Sequence, residues 1–173
     1  MKKSAALLVN FLILISMAGL AIAKGPAVVQ GALSGYNEVP ALSTTGHGAF
    51  FARIDPVAEM IEYELSYDAI EGDVTQSHIH VGQPGVNGSI SVFLCSNLGN
   101  GPAGTQACPA SPGVISGTIT AADVLGPTAQ GVEAGAFDEL VRAIRAGATY
   151  VNVHSTLFPG GEVRSGLAPH PHH

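Results

Sequence analysis

The sequence predicts an all-β fold, a Greek-key sandwich or barrel of about eight antiparallel strands with one short crossover helix. Apolar and polar residues alternate over short stretches, and each stretch ends at Gly, Pro or Asn. A single segment has helical spacing instead. Many short strands separated by turns are typical of sandwiches and barrels, so we expect one all-β domain over residues 24–167.

The strand pattern is clearest over residues 60–69. Its odd-numbered positions are apolar or aromatic, and its even-numbered positions from Glu62 to Asp68 are acidic or polar. This alternation predicts an antiparallel strand with one buried face and one solvated, acidic face. Shorter patterns of the same kind predict strands at 31–38, 47–54, 74–81, 89–95, 114–120, 149–155 and 162–167.

The one helical segment lies between the last predicted strands. Phe137, Leu140, Val141 and Ile144 recur at helical spacing, and Gly147 follows as a stop signal. We therefore expect a short helix with one buried face.

Residues 1–23 have the features of a secretory signal peptide. Lys2 and Lys3 precede an apolar run, and the run ends at Ala21-Ile22-Ala23, which places small residues at the third and first positions before the expected cut. We expect cleavage after Ala23 and a periplasmic or secreted protein with no membrane span. An uncleaved anchor is the alternative.

The charge of the mature chain excludes several partners. After cleavage, five basic side chains remain against thirteen acidic ones. A net negative charge opposes binding to phosphate backbones and anionic lipids, so nucleic acid is not an expected partner.

The two cysteines, Cys95 and Cys108, flank a segment rich in Gly, Pro and Asn. In an oxidising compartment we expect them to form a disulfide. A pair of thiolate metal ligands is the alternative, but no His or second Cys lies beside either residue.

Several motifs occur in the order found in one known family. Residues 35–40 (GYNEVP) resemble its opening G-x-x-E-V-P motif, and residues 45–50 (TGHGAF) resemble the strand rich in small residues that follows. Residues 77–82 (SHIHVG), followed by 85–88 (GVNG), are similar to its central H-I-H segment.

The closing motif is the most specific. Residues 150–155 (YVNVHS) and 159–166 (PGGEVRSG) match the closing signature of the CHRD (chordin-type) domain, and the resemblance extends from Val29 to Leu167. It implies an extracytoplasmic β-sandwich module of the kind found in chordin and in many bacterial secreted proteins. It implies no single biochemical activity.

Three histidines are candidate metal ligands. His78 and His80 are two residues apart on a predicted strand, so their rings leave the same face with Cα atoms about 7 Å apart. Two imidazoles in this arrangement can bind one ion at about 2.0 Å each. His154 lies on a strand that can be a neighbour, and His47 is a candidate fourth ligand. This donor set suits copper, with zinc as a second choice.

The same histidines can have a purely structural role. Buried imidazoles can satisfy their ring nitrogens by hydrogen bonding across strands, without a metal.

The C-terminal tail, residues 168–173 (APHPHH), contains three further histidines. We expect it to be flexible, and it is a candidate for capturing copper or zinc and delivering the ion inward.

Three functions are consistent with these features. The first is copper binding by the histidine cluster. The second is a copper-only enzyme loosely similar to copper/zinc superoxide dismutases, with superoxide as its substrate. In that enzyme Arg164 would guide the anion to the copper. The simpler expectation for Arg164 is an ion pair with Glu38 or Glu162. The third is a non-catalytic module that binds an extracellular protein.

Overall fold

The structure is a computed structural model that describes residues 25–169. The predicted signal peptide and residues 170–173 of the predicted tail lie outside this range. The described chain has eight strands and one α-helix. The strands are β1 (Ala27–Ser34), β2 (His47–Asp55), β3 (Met60–Asp68), β4 (Val74–Val81), β5 (Ser89–Ser96), β6 (Gly113–Ile119), β7 (Thr149–Ser155) and β8 (Val163–Leu167), and the helix is α1 (Phe137–Arg145).

All eight strands belong to one antiparallel sheet with the order β5-β4-β7-β8-β1-β2-β3-β6. The β3–β6 and β4–β7 neighbours are not consecutive in the chain, which is the Greek-key feature expected from the sequence. The sheet curls until β5 and β6 lie side by side, so that the barrel is nearly closed. The side-chain amide of Gln106 bridges this seam by donating to the carbonyls of Leu94 and Ser116. The predicted all-β fold is confirmed.

The predicted helix is also confirmed. The four apolar residues that predicted it are buried, and Gly147 adopts a left-handed φ of 67° just after the helix ends. A residue with a side chain is strained in this conformation, so glycine favours the stop.

The first strand begins and ends four residues earlier than expected. Ser34 caps a 3-10 turn at Gly35–Asn37 by accepting a hydrogen bond from the backbone N–H of Tyr36. This local hydrogen bond competes with continuation of the sheet. As a result, Glu38 leaves the strand and turns back over the outer face of β8.

The Cys95–Cys108 disulfide is present and ties the end of β5 to the loop that follows it.

Near the C-terminal end of the described residues, Pro169 forms an antiparallel bridge with Val29 and extends the pairing of β1 with β8. No helix within residues 25–169 is long and apolar enough to cross a lipid bilayer.

The barrel interior is the apolar core, and β7 shows how the functional residues are kept outside it. Val151 and Val153 are fully buried in the core. The alternate residues of β7 therefore point to the outer face, yet every residue of this strand is buried. The outer face of β7 is covered by loops.

Candidate metal centre

His78, His80 and His154, called the histidine trio below, lie together on the outer face of β4 and β7. Because β4 pairs with β7, His78 is opposite Asn152 and His80 is opposite Tyr150. Ile79 points into the core between the two β4 histidines. One ring nitrogen of each trio member lies within 4.8 Å of the other two.

Two loop carbonyls orient the rings from outside the sheet. Nδ1 of His80 donates to the carbonyl oxygen of Gly88 at 3.1 Å. Nε2 of His80 then carries a lone pair, and it is buried without a hydrogen-bond partner among the described residues. Metal-bound histidines commonly have this arrangement, in which the second ring nitrogen donates to a backbone carbonyl.

His154 has more acceptors around it than it can satisfy. Its Nδ1 lies 3.0 Å from the carbonyl oxygen of Pro159, and its Nε2 lies 3.0 Å from Oδ1 of Asn152. A neutral imidazole has one N–H and can donate to only one of these oxygens. When Nδ1 donates to Pro159, the lone pair of Nε2 faces Asn152 and Nδ1 of His78, which is 3.2 Å away.

The trio is buried and electrically neutral. The exposed fractions are 0% for His78, 7% for His80 and 6% for His154. Burial lowers the pKa of His78 to about 3 and that of His80 to about 4, and it also lowers the pKa of His154. Desolvation disfavours the protonated ring, so the three imidazoles keep their lone pairs at neutral pH.

Tyr150 and Arg164 form a stack beside the trio. Tyr150 lies on β7 between His80 on β4 and Arg164 on β8. The His80 and Tyr150 rings are 4.6 Å apart and parallel to within 1°, and the Arg164 guanidinium lies 3.3 Å from the centroid of the Tyr150 ring. The Tyr150 ring therefore separates the Arg164 guanidinium from His80, and Arg164 does not stack on the histidine itself.

Arg164 does not form the predicted ion pair with Glu38 or Glu162. Its guanidinium donates instead to the carbonyl of Val86 at 2.7 Å and to Oδ1 of Asn87 at 3.1 Å. The loop between β4 and β5 supplies both acceptors, so Arg164 holds this loop against the outer face.

The two glutamates have separate environments. Burial raises the pKa of Glu38 to about 7, although the positive charge of Arg164 and a hydrogen bond from Asn152 oppose the shift. Glu162 is fully buried, and its Oε1 accepts hydrogen bonds from the Thr44 hydroxyl and from the backbone N–H of Glu71.

The structure separates His47 from the trio, so the expectation of a fourth ligand at this position is wrong for this arrangement. His47 is exposed on β2, and its Nδ1 donates to the carbonyl of Thr45. In the sheet, β1, β8 and β7 all lie between β2 and β4. Its distance from His78 and His80 follows from this strand order.

Two residues beside the trio, Tyr150 and Asn152, were not proposed as site residues from the sequence, and Glu38 was expected only as an ion-pair partner of Arg164. Asn152, Tyr150 and Glu38 all contribute to the site, and the alternation in residues 150–155 already places Tyr150 and Asn152 on the face of His154. A cavity of about 340 Å³ opens beside this stack and is lined by Glu38, Thr149, Tyr150 and Arg164 among others.

The comparisons with known proteins identify the family. Comparison with curated proteins and with solved structures gives no significant match. The family model described as the CHRD domain matches residues 29–167, which include the histidine trio, Arg164 and nearly all of the barrel. This chain belongs to the CHRD domain family.

Proposed function

We propose that this protein is an exported copper-binding protein, with His78, His80 and His154 as the metal ligands. One observation supports it most strongly: three buried, neutral imidazoles converge, and two of them are oriented from behind by the carbonyls of Gly88 and Pro159. A purely structural cluster would satisfy its ring nitrogens. Here Nε2 of His80, which carries a lone pair because Nδ1 donates to Gly88, is buried without a hydrogen-bond partner among residues 25–169.

The spacing of the nitrogens supports a shared ion. Two nitrogens bound at about 2.0 Å to one tetrahedral ion are about 3.3 Å apart. Nδ1 of His78 and Nε2 of His154 are 3.2 Å apart. All three ligand nitrogens lie within 4.8 Å of one another, so binding of an ion requires at most about 1.5 Å of inward ring movement.

The donor chemistry supports copper. Imidazole nitrogens suit copper and zinc, and among divalent ions copper binds more tightly than zinc to a given nitrogen site. Oxygen-seeking ions such as calcium and magnesium prefer carboxylates and carbonyls. The Cys95–Cys108 disulfide supports export to an oxidising compartment.

The burial of the ligand atoms supports binding and transfer more than turnover. A redox enzyme needs an open coordination position for its substrate. The unpartnered nitrogens of His78 and His80 have almost no solvent-accessible surface. Release of the ion therefore requires movement of the covering loops.

Metal analysis of the mature chain tests this proposal. We expect one copper per chain after loading and desalting, and loss of that copper in His80→Ala and His154→Ala. His47→Ala is the matched control, because His47 is exposed and outside the trio. A variant with His170, His172 and His173 replaced by alanine separates copper held by the tail from copper held by the trio. If that variant binds no copper, the proposal is wrong.

A copper-dependent superoxide dismutase is the second candidate, and the cavity lined by Tyr150 and Arg164 favours it. A buried guanidinium beside a cavity can attract a small anion. The copper-loaded protein should then consume superoxide faster than free copper at equal concentration, and Arg164→Gln should lower the rate. A rate equal to that of free copper would remove this candidate.

A further inference from the structure

We infer that the histidine trio selects a monovalent ion, Cu(I), over the divalent ions Cu(II) and Zn(II). The inference rests on the proposed metal-binding function and adds the charge of the ion that the site accepts. Three features of the described residues support it: the neutral donor set, the charges around that set, and the way in which the site is closed.

The donor set supplies no negative charge. Among residues 25–169, no carboxylate or thiolate joins the three imidazoles within ligand distance. The cost of moving an ion from water into a buried site grows with the square of its charge, so a divalent ion costs about four times as much as a monovalent one. Without an anionic ligand, only the dipoles of the neutral imidazoles are available to offset this difference.

The surroundings do not replace the missing anion. Arg164 is 97% buried and lies on the face of Tyr150 opposite to His80, where its positive charge opposes any cation in the trio. Glu38 is the carboxyl packed on Asn152, and its single charge at most balances that of Arg164. The net fixed charge beside the trio is therefore close to zero.

The closure of the site limits the number of ligands. Zinc bound by three histidines takes a water as its fourth ligand. The Phe93 and His78 rings form a T-shaped pair with centroids 4.4 Å apart, and the ring of Tyr150 covers His80. These aromatic walls and the covering loops leave the unpartnered nitrogens sealed. Cu(I), with a single positive charge, is stable with three neutral nitrogen ligands and needs no water as a fourth.

Competition titrations on the full mature chain carrying the alanine-substituted tail test the inference. Cu(I) is measured anaerobically against bicinchoninate with ascorbate, which leaves the disulfide intact, and Ag(I) serves as a monovalent ion without redox chemistry. Zn(II) and Cu(II) are measured against their own chelators. We expect one equivalent of Cu(I) or Ag(I), bound at least about a thousandfold more tightly than Zn(II) or Cu(II).

The same preference has an electrochemical readout. A thousandfold preference for Cu(I) over Cu(II) raises the potential of bound copper by about 180 mV above that of the aqueous couple, at 59 mV for each factor of ten. A potential at or below the aqueous value would overturn the inference. This measurement uses the chain with an intact trio, so no folding defect can confuse it.

Arg164 offers a matched pair of variants. Coulomb energy is proportional to the charge of the ion, so Arg164→Gln should strengthen Zn(II) binding by about twice as many factors of ten as Ag(I) binding. Arg164→Lys keeps the charge and should keep the preference. His47→Ala should change neither affinity.

The outcomes separate the two proposals. Zn(II) or Cu(II) bound to the trio as tightly as Cu(I) would overturn the selectivity and leave the metal-binding function standing. Failure of every ion to bind would overturn both. Histidine ring NMR of the chain with the intact trio identifies the nitrogens that bind the ion, and binding outside His78, His80 and His154 would also reject both.

Discussion

The ring of His80 lies face to face with the ring of Tyr150, with centroids 4.6 Å apart and planes within 1° of parallel. The Tyr150 hydroxyl accepts a hydrogen bond from the backbone N–H of Gly88, and the carbonyl of Gly88 accepts one from His80. Tyr150 therefore fixes His80 twice, by stacking on its ring and by holding the loop that orients it.

This relationship predicts different effects for two substitutions of Tyr150. Tyr150→Phe keeps the stack and loses both hydrogen bonds between the Tyr150 hydroxyl and the backbone of Gly88, so the free energy of unfolding should fall by about 1 to 2 kcal/mol. Tyr150→Leu also loses the stack and frees His80 to reorient, so metal affinity should fall about tenfold or more. Chelator competition and urea unfolding measure the two effects.

Tyr36→Phe provides the control for both measurements, because Tyr36 is 72% exposed and its hydroxyl shares a hydrogen bond with the exposed Ser43. It should leave metal affinity and stability unchanged. Equal metal affinity in Tyr150→Leu and the parent chain would show that the stack does not position His80.

The low pKa values of the trio predict that acid destabilises the metal-free protein. Between the ordinary histidine pKa of about 6.5 and the folded values of about 3 for His78 and about 4 for His80, the unfolded chain binds more protons than the folded chain. Stability contributed by these rings is therefore complete above pH 6.5 and is lost as the pH falls. His80 alone accounts for about 3 kcal/mol across its window.

Urea unfolding of the metal-free chain between pH 4 and pH 8 measures this loss. His80→Gln should have a shallower acid limb, whereas His47→Gln should match the parent because His47 is exposed. An acid limb of equal slope in His80→Gln would contradict the assignment of the effect to the buried rings.

The sequence could predict the strands because alternation reports directly which residues face the core. Alternation also placed His78 with His80, and Asn152 with His154. It could not show that β4 and β7 are neighbours, because eight strands can be ordered in many ways that satisfy the same pattern. His47 was misassigned for this reason, since its strand has a suitable face but lies across three intervening strands from the β4 histidines.

The environment of Arg164 was less predictable still. Arg164 was expected to form an ion pair with one of two glutamates in nearby motifs. Its guanidinium instead donates hydrogen bonds to the carbonyl of Val86 and to the side-chain amide oxygen of Asn87. Local hydrogen bonding at Ser34 ends β1 early and turns Glu38 away from the strand. Neither effect produces a periodic pattern that can be read from the sequence.

The disulfide should stabilise the barrel without affecting the metal centre. Cys95 and Cys108 are separated by 13 residues, and closing a loop of this size contributes about 3 kcal/mol in the chain-entropy model. The double variant Cys95→Ala and Cys108→Ala should therefore unfold at lower urea concentration and keep the copper affinity of the parent at 25 °C. Alanine is preferred over serine because both positions are buried. Loss of copper affinity in a folded double variant would show that the bridge and the trio are coupled.

Glu38 should destabilise the folded protein at alkaline pH, with a sign opposite to that of the histidines. Burial raises its pKa to about 7 from the ordinary 4.5, so between these values the folded chain binds more protons than the unfolded chain. Its contribution makes stability fall as the pH rises through this window, by up to about 3 kcal/mol. Glu38→Gln should therefore raise the free energy of unfolding at pH 8 and change it little at pH 4.5.

The matched control is Glu62→Gln, because Glu62 is exposed on the outer face of β3. Urea unfolding of the three metal-free chains at both pH values gives the comparison. Equal gains for Glu38→Gln at pH 4.5 and pH 8 would mean that the gain comes from packing and not from removal of a buried charge. A loss at pH 8 would mean that the Glu38 carboxylate is stabilised by Arg164 and Asn152 more than it is destabilised by burial, because those are the two groups that favour its charged form.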